Sequence, residues 1–432
     1  MKVYNYLKSN QLSIFLSLLV FFPTARLLIL GSGHVTGVRL LVGLIPEILF
    51  AFILGWFLFA FLKDKNRDIH WLDKLVLIYF LFNVLVGFYI AHDFKASIYG
   101  FRLTYLPMLA YFVTSYYWDK KVDVERIFLG FFRVLVLVAA LGFLLQFFFP
   151  NVQLYFHKLS TNQPIVASAI NFVRMTSVIW TPVVFAVLML CAFCFWTYRY
   201  LKTGNKLALL FLLITLNAVF FSVSRGPIIA SFFALLILFI IGINLRFKLI
   251  IAGILLLEFI SLYLFVPKFT EIFEWFFLSS KQTVSLDIAN TRVELWNDVV
   301  HTADDNLTGL GLGKAGHVAV QLFPRNTPGV SFTSTDGWYF KLMLETGITA
   351  LILYLGMALM FFITMIRAFR KKVFDIGSVI FTIFVATGLV NITSNALDFY
   401  LFSYLYWFLL GLFVLKLKQK KHANKEGFSS NC

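Results

Sequence analysis

The sequence predicts an all-α fold, a polytopic transmembrane helix bundle of about twelve spans, on three observations. Of its 432 residues, 60% are hydrophobic and 13% charged, with a mean hydropathy of +0.85. Apolar stretches of roughly twenty residues recur along the chain, the length a helix needs to cross ~30 Å of hydrocarbon. The basic residues behind the net charge of +16 gather in alternate connections between those stretches. A soluble domain carries about 25% charged residues. The composition therefore excludes a soluble enzyme, a disordered chain and a DNA-binding domain. The positive charge reads as membrane sidedness, with no nucleic-acid partner implied.

The expected spans lie near 11–30, 43–62, 73–92, 98–117, 127–149, 178–198, 206–223, 227–244, 248–266, 347–366, 376–394 and 399–415. The first is too long, and too poorly flanked by small residues, for a cleaved signal peptide, and reads as retained. One set of connections holds Lys2 and Lys8, Lys63 to Lys74, Lys120 to Arg126, Arg199 to Lys206, Arg246 and Lys248, Arg367 to Lys372, and the tail lysines from Lys416 to Lys425. The opposite short loops hold little beyond Arg39, Lys95, Lys158, Arg174 and Arg225. The positive-inside rule then places both termini in the cytoplasm, with which an even number of spans is consistent. The fifty-three phenylalanines suit lipid-facing and interhelical packing.

Three regions follow. Residues 1–266 carry spans one to nine. Residues 267–346 form an extracytoplasmic loop, the sizeable polar stretch of the chain. Residues 347–432 hold spans ten to twelve and a basic cytoplasmic tail. A second long connection, 150–177, separates spans five and six. Long connections in compact proteins usually carry function, so chemistry is expected in 267–346. No internal repeat of the transporter kind is visible. Cys191-x-x-Cys194 has redox-motif spacing but sits inside an apolar span, where it reads as helix packing.

Four constellations stand out. Ser222-Val223-Ser224-Arg225-Gly226-Pro227 opens span eight. Ser224 can cap that helix and Pro227 suits its first turn. A helix N-terminus with the Arg225 guanidinium beside it makes an anion site; the plainer alternative is an arginine snorkelling to the interface. Thr291-Arg292-Val293-Glu294-Leu295-Trp296 has capping-box spacing at Thr291 and Glu294. It predicts a short amphipathic helix with Val293, Trp296 and Val300 on one face. Arg292 in its first turn opposes the helix dipole, a mismatch that an anionic partner would resolve. Leu307 to Gly316 contains Gly311, Gly313 and Gly316 in G-x-G-x-x-G spacing. No strand of a βαβ unit precedes them, so they read as a tight backbone turn packed close to the bundle rather than a dinucleotide site. Last, Asp336 precedes an amphipathic stretch that leads through Glu345-Thr346-Gly347 into span ten, either as a helix cap or as a general base.

Taken in order, these pieces resemble the O-antigen polymerase and ligase superfamily, the Wzy-type lipid-linked oligosaccharide transferases. The resemblance rests on Ser224-Arg225-Gly226, Arg292 to Trp296, Gly309 to Gly313 and Glu345-Thr346-Gly347, with Arg174 to Pro182 as a further feature before a span. It covers roughly residues 174–347. One departure matters: Asp336-Gly337 stands where the family usually has His-Asn. The missing histidine argues against a ligase, and aspartate keeps a proton acceptor there.

The resemblance implies glycosyl transfer at the outer face of the cytoplasmic (inner) membrane. The donor is a glycan on undecaprenyl pyrophosphate and the acceptor another lipid-linked repeat unit. Arg225 and Arg292 would stabilise the departing pyrophosphate, Asp336 would be the general base, and Arg174, Ser224 and Trp296 would contact substrate. No metal and no cofactor is implied, and the chain has no Asp-x-Asp pair for a metal-bound nucleotide sugar. A chain-length regulator and a flippase are the expected protein partners, the bilayer the solvent. The rival readings are an O-antigen-type ligase moving finished glycan to another acceptor and, from another class, a polysaccharide flippase or transporter. Glu47, Arg26, Arg102, Arg133 and Glu258, within or near spans, keep the last of these open.

Overall fold

The computed structural model describes residues 2–30, 43–63, 68–91, 93–116, 124–160, 166–167, 172–242, 244–277, 294, 296–316, 319, 337–369 and 374–429. Its helices are α1 (Lys2–Leu30), α2 (Ile45–Lys63), α3 (Trp71–Ile90), α4 (Phe94–Gly100), α5 (Leu109–Ser115), α6 (Val124–Phe148), α7 (Pro150–Ser160), α8 (Pro182–Thr203) and α9 (Lys206–Phe221). There follow α10 (Arg225–Ile241), α11 (Leu245–Phe265), α12 (Pro267–Phe277), α13 (296–305), α14 (Trp338–Phe369), α15 (Ile376–Thr393) and α16 (Tyr400–Ser429). The expected all-α polytopic membrane fold is met. Among the described residues, the β-structure is one short antiparallel ribbon, Val166–Ala167 against Phe172–Val173.

Each expected span falls on helical chain. Eight helices are long and apolar enough to cross a membrane: α2, α3, α6, α8, α11, α14, α15 and α16. Spans one, seven and eight fall on shorter apolar helices, Gln11–Arg26, α9 and α10. The fourth is not one helix. α4 passes into a π-helical turn, Phe101–Tyr105, and a 3-10 turn, Leu106–Met108, before α5 begins. Pro107 explains part of the break, since it lacks an N–H and its ring crowds the preceding turn. The wide turn also swings Thr104 and Tyr105 into a buried polar cluster described below.

The chain packs as two compact units, each drawn from three stretches. The first comprises 1–50, 123–285 and 372–389, the second 51–122, 286–371 and 390–432. In the first unit α8 is apolar on all sides and buried along nearly its whole length, as such a helix must be. α6, α9 and α10 surround it, with Phe132 stacked on Phe195 at 4.3 Å between ring centres. Gly204, at φ +65°, ends α8, and Asn205 starts α9 by accepting a hydrogen bond from the Leu207 N–H at 2.9 Å. Glu125 at the start of α6 binds Arg199 and Lys202 at 2.9 and 2.8 Å. α11 leaves Leu249, Leu256, Leu257 and Leu264 uncovered, a surface suited to hydrocarbon.

In the second unit α16 lies against α5. Gly411 permits the approach, because a Cβ there would meet Thr114 Oγ1 and the Tyr111 carbonyl. Further along, Lys418 forms a buried ion pair with Asp73 at 2.8 Å. The Tyr111 hydroxyl donates to the same carboxylate at 2.9 Å. Lys418 Nζ also donates to the Ser115 carbonyl and sits 3.9 Å from the Tyr116 ring centre. Removing one member of such a pair strands a buried charge and costs about 3 kcal/mol or more, whereas removing both charges costs far less. Lys418→Met is therefore expected to lower the thermal midpoint of the detergent-purified protein. Adding Asp73→Asn should restore at least half of the loss. A double variant that melts no higher than Lys418→Met would contradict this account of the pair.

Candidate functional site

In the first unit the candidate residues meet where α9 gives way to α10. Val223 connects them at φ +50°, a left-handed conformation that a β-branched side chain rarely adopts. The chain before α8 holds this turn in place. The Met175 N–H donates to the Phe221 carbonyl at 3.0 Å. Arg174 Nε donates to the Ser222 carbonyl at 3.0 Å, and Arg174 Nη2 to Ser224 Oγ at 2.9 Å. The Arg174 strand is in turn fixed by two glutamines. Gln146 Nε2 donates to the Val173 carbonyl at 2.6 Å and Gln153 Nε2 to the Arg174 carbonyl at 2.7 Å.

Among the described residues no carboxylate pairs with the Arg174 guanidinium. Burial pushes it down to about 10, so it remains a cation at neutral pH. Ser224 occupies the N-cap position of α10, but its side chain makes no cap bond. The expected cap is corrected: the hydroxyl is taken by Arg174 instead, and Arg225 follows as the first residue of α10, half-buried. Pro227 lies in the first turn, as expected. The structure thus brings Arg174 and Ser224 together with Arg225 next in the chain.

In the second unit α13 packs on α14. Trp296 stacks on Phe340 with ring centres 5.4 Å apart. Val299 and Ala303 join Ala315, Met343 and Leu344 in a small apolar core. The expected face is thereby corrected. Val299, not Val300, is buried, because the helix presents positions 296, 299 and 303 to α14. Arg292 and Asp336, expected at the site, lie outside the described residues, as do Thr291 of the expected capping box and Val293 of the expected apolar face.

The glycine-rich segment is the tight turn the sequence implies. Gly309, Gly311, Gly313 and Gly316 all have positive φ. Gly313 is the most constrained, since at φ +78° its Cβ would collide with the Ala96 carbonyl of α4. The turn is sewn to α14 by backbone and side chain. The Leu310 N–H donates to the Leu344 carbonyl at 2.7 Å and the Gly311 N–H to the Glu345 carbonyl at 3.0 Å. Glu345 Oε1 accepts from the N–H groups of Gly313 at 3.0 Å and Ala315 at 3.4 Å. α14 then breaks at Gly347, at φ +84° and ψ 173°.

Behind this turn lies a charged cluster that sequence reasoning missed. Lys341 Nζ pairs with Asp398 Oδ1, donates to Thr104 Oγ1 at 2.9 Å and lies 3.7 Å from Glu345 Oε2. All three charged side chains are almost fully buried. Asn83 extends the network, accepting from Tyr105 and Thr346 hydroxyls at 3.0 and 2.8 Å. The signal was present. Lys341 and Glu345 are four residues apart on an apolar helix, the spacing of a helical ion pair. Asp398 is a lone acid between two apolar stretches. Of the span charges that were noted, Glu258 accepts a hydrogen bond from Asn217 within the first unit.

The described chain is therefore a polytopic all-α membrane protein. It carries a cationic turn at one helix start and a glycine turn bolted to another helix by buried charge. Residues 208–355 match the family model Wzy_C, described as O-antigen ligase. The match spans Ser224 to Gly347 and supports the O-antigen polymerase and ligase superfamily. A comparison with curated proteins finds no match.

Gly313→Ala is expected to destabilise the protein by at least about 2 kcal/mol, from left-handed strain and steric overlap together. Gly55→Ala, at a helical position open on all sides, should be neutral or stabilising by up to about 1 kcal/mol. Thermal melts of the two purified variants, side by side, check the contrast.

Proposed function

We propose that this protein is a polysaccharide polymerase that joins undecaprenyl-pyrophosphate-linked repeat units at the outer face of the cytoplasmic membrane, with both of its termini in the cytoplasm. One observation carries the reading. A half-buried guanidinium, Arg174, pairs with no carboxylate among the described residues and is hydrogen-bonded to the serine that directly precedes Arg225. Burying a cation without a counter-charge is costly. A polyanionic ligand would supply that counter-charge, and the positive end of the α10 dipole favours the same ligand.

The chemistry follows from the leaving group. The acceptor hydroxyl oxygen attacks the anomeric carbon of the donor glycan. The bond from that carbon to the pyrophosphate oxygen breaks, and its electron pair leaves with the pyrophosphate. Arg225 and Arg292 stabilise the growing negative charge, where fixed cations in a partly dehydrated site act most strongly. Arg174 holds the turn that presents Arg225 and contributes its own charge. Asp336 accepts the hydroxyl proton. A carboxylate of ordinary pKa near ~4 cannot deprotonate a sugar hydroxyl beforehand, so proton transfer is concerted with attack. The guanidinium groups supply the positive charge that a metal would otherwise bring, and chain growth is expected to persist in EDTA.

A ligase is the second reading, favoured by the description of the matching family model. The aspartate at position 336, where the family usually has histidine, favours the polymerase.

The deciding experiment supplies purified protein in nanodiscs with its lipid-linked repeat unit alone. A polymerase yields a ladder of longer lipid-linked glycans by gel and mass spectrometry. No ladder from folded protein given the correct repeat shifts the assignment to the ligase. Arg225→Ala and Arg292→Ala should each cut transfer by about 100- to 1000-fold while membrane insertion persists. Full-length polymer from either inserted variant would remove that residue from the mechanism. Asp336→Asn should lower the rate comparably, and a near-normal rate would make Asp336 a helix cap.

A further inference from the structure

We propose that Gln153, backed by Gln146, is a positioning residue for glycosyl transfer, acting through the peptide unit between Arg174 and Met175 on the turn that presents Arg225. The inference rests on the reading of Arg174 and Arg225 as pyrophosphate ligands. The antiparallel ribbon ends at Val173, and the next regular element is the 3-10 turn Ser177–Ile179. Neither a ladder nor a helix therefore sets the backbone at Arg174. Single hydrogen bonds do. Gln153 Nε2 donates to the Arg174 carbonyl at 2.7 Å. The N–H of the same peptide unit, that of Met175, donates to the Phe221 carbonyl at 3.0 Å. One rigid plane is thus held at both edges, by Gln153 on one side and by the end of α9 on the other. From that plane the Arg174 side chain reaches the Ser222 carbonyl and Ser224 Oγ, and Arg225 is the next residue in the chain.

The two amides fit together in one orientation. Gln146 on α6 and Gln153 on α7 flank the joint at Pro150, and both are buried. The Val173 and Arg174 carbonyls can only accept, so each glutamine turns its nitrogen toward them. Gln146 Oε1 then accepts the second N–H of Gln153 at 3.0 Å. The arrangement leaves Gln153 Oε1 buried and without a hydrogen bond among the described residues. An acceptor stranded in this way costs about 1–3 kcal/mol. Gln146 alone would hold the end of the ribbon through Val173. What Gln153 adds, against that cost, is the tilt of the next peptide plane, and so the point from which the Arg174 side chain starts. Catalysis by charge stabilisation depends on such placement, since an error of about 1 Å can cost roughly 100-fold in rate.

The test combines transfer kinetics with amide hydrogen exchange by mass spectrometry, on the full-length protein in nanodiscs. Gln153→Met keeps the length of the side chain and removes both N–H donors. Its kcat should fall about 10- to 100-fold, with KM for the lipid-linked donor within about threefold of wild type. Exchange in peptides covering 173–176 and 221–225 should accelerate about tenfold, and exchange in the middle of α9, 208–216, should stay within about twofold. Combined with Arg174→Ala, the loss in kcat should be at least about fivefold smaller than the product of the two single losses, as expected for members of one network. A normal kcat in folded Gln153→Met overturns the proposal. So do single losses that simply multiply, or exchange that accelerates equally along α9, since the glutamine would then support the fold in general. Should Gln153→Met fail to fold, Gln153→Asn decides the matter: its shorter amide cannot span both acceptors and should lower kcat about tenfold, and a normal kcat overturns the proposal. A wild type that transfers glycan to neither a lipid-linked repeat nor another acceptor overturns the functional reading first, and this role with it. An active wild type with an unaffected Gln153→Met overturns this role alone.

Discussion

Charge buried in an apolar protein has to be matched by charge or by hydrogen bonds, and that requirement organises the second unit. Lys341, Glu345 and Asp398 are nearly inaccessible to solvent. Their partners come from distant parts of the chain: Thr104 from the π-turn, Gly313 and Ala315 from the glycine turn, Asp398 from the connection between α15 and α16. Each partner fixes one segment against α14. Without the cluster, apolar faces and the backbone bonds from Leu310 and Gly311 would still join the glycine turn to the helix, but Gly313 and Ala315 would lose their side-chain anchor.

The first unit meets the opposite condition. Arg174 is half-buried with its hydrogen bonds directed to a carbonyl and a hydroxyl, neither of which cancels its charge. The turn it holds contains Val223 in a left-handed conformation. Strain and uncompensated charge both oppose folding, and both are retained at a helix start where anions bind well. The second unit balances its charges internally and is built to hold still. The first leaves positive charge available for a ligand.

The sequence made the membrane fold legible because hydrocarbon length and charge sorting act on every span at once. Each expected span landed on helical chain, though α9 and α10 are short and the fourth span is broken at Tyr105 and Pro107. A hydropathy window averages over such a break, because Phe101 to Met108 is as apolar as a regular helix. The candidate anion site at Ser224 and Arg225 was suggested by a helix start and a guanidinium adjacent in sequence. Arg174 needed the fold, being brought to Ser224 from fifty residues away. The charged cluster was hidden for a related reason. Lys341 and Glu345 are visible as a helical pair, but Asp398 and Thr104 join them only through tertiary contact. Val300 failed as a core position because only Trp296 fixed the phase of α13. One anchor does not distinguish a face through 299 and 303 from one through 300.

Polymerase and ligase share a donor half-reaction, since both expel a lipid pyrophosphate from an anomeric carbon. Residues serving that half-reaction carry no information about the acceptor. In the proposed mechanism Arg174, Ser224 and Arg225 serve that half-reaction and are silent on the choice of acceptor. The choice belongs to the group that receives the acceptor proton and to the chain around it. Position 336 holds aspartate where the family usually has histidine. A neutral imidazole can take a proton and become a cation beside the departing pyrophosphate, adding to its stabilisation. A carboxylate that takes the same proton becomes neutral and adds nothing. An enzyme with aspartate there must draw all its positive charge from elsewhere. In the proposed mechanism Arg174 and Arg225, at the start of α10, are a source of that charge.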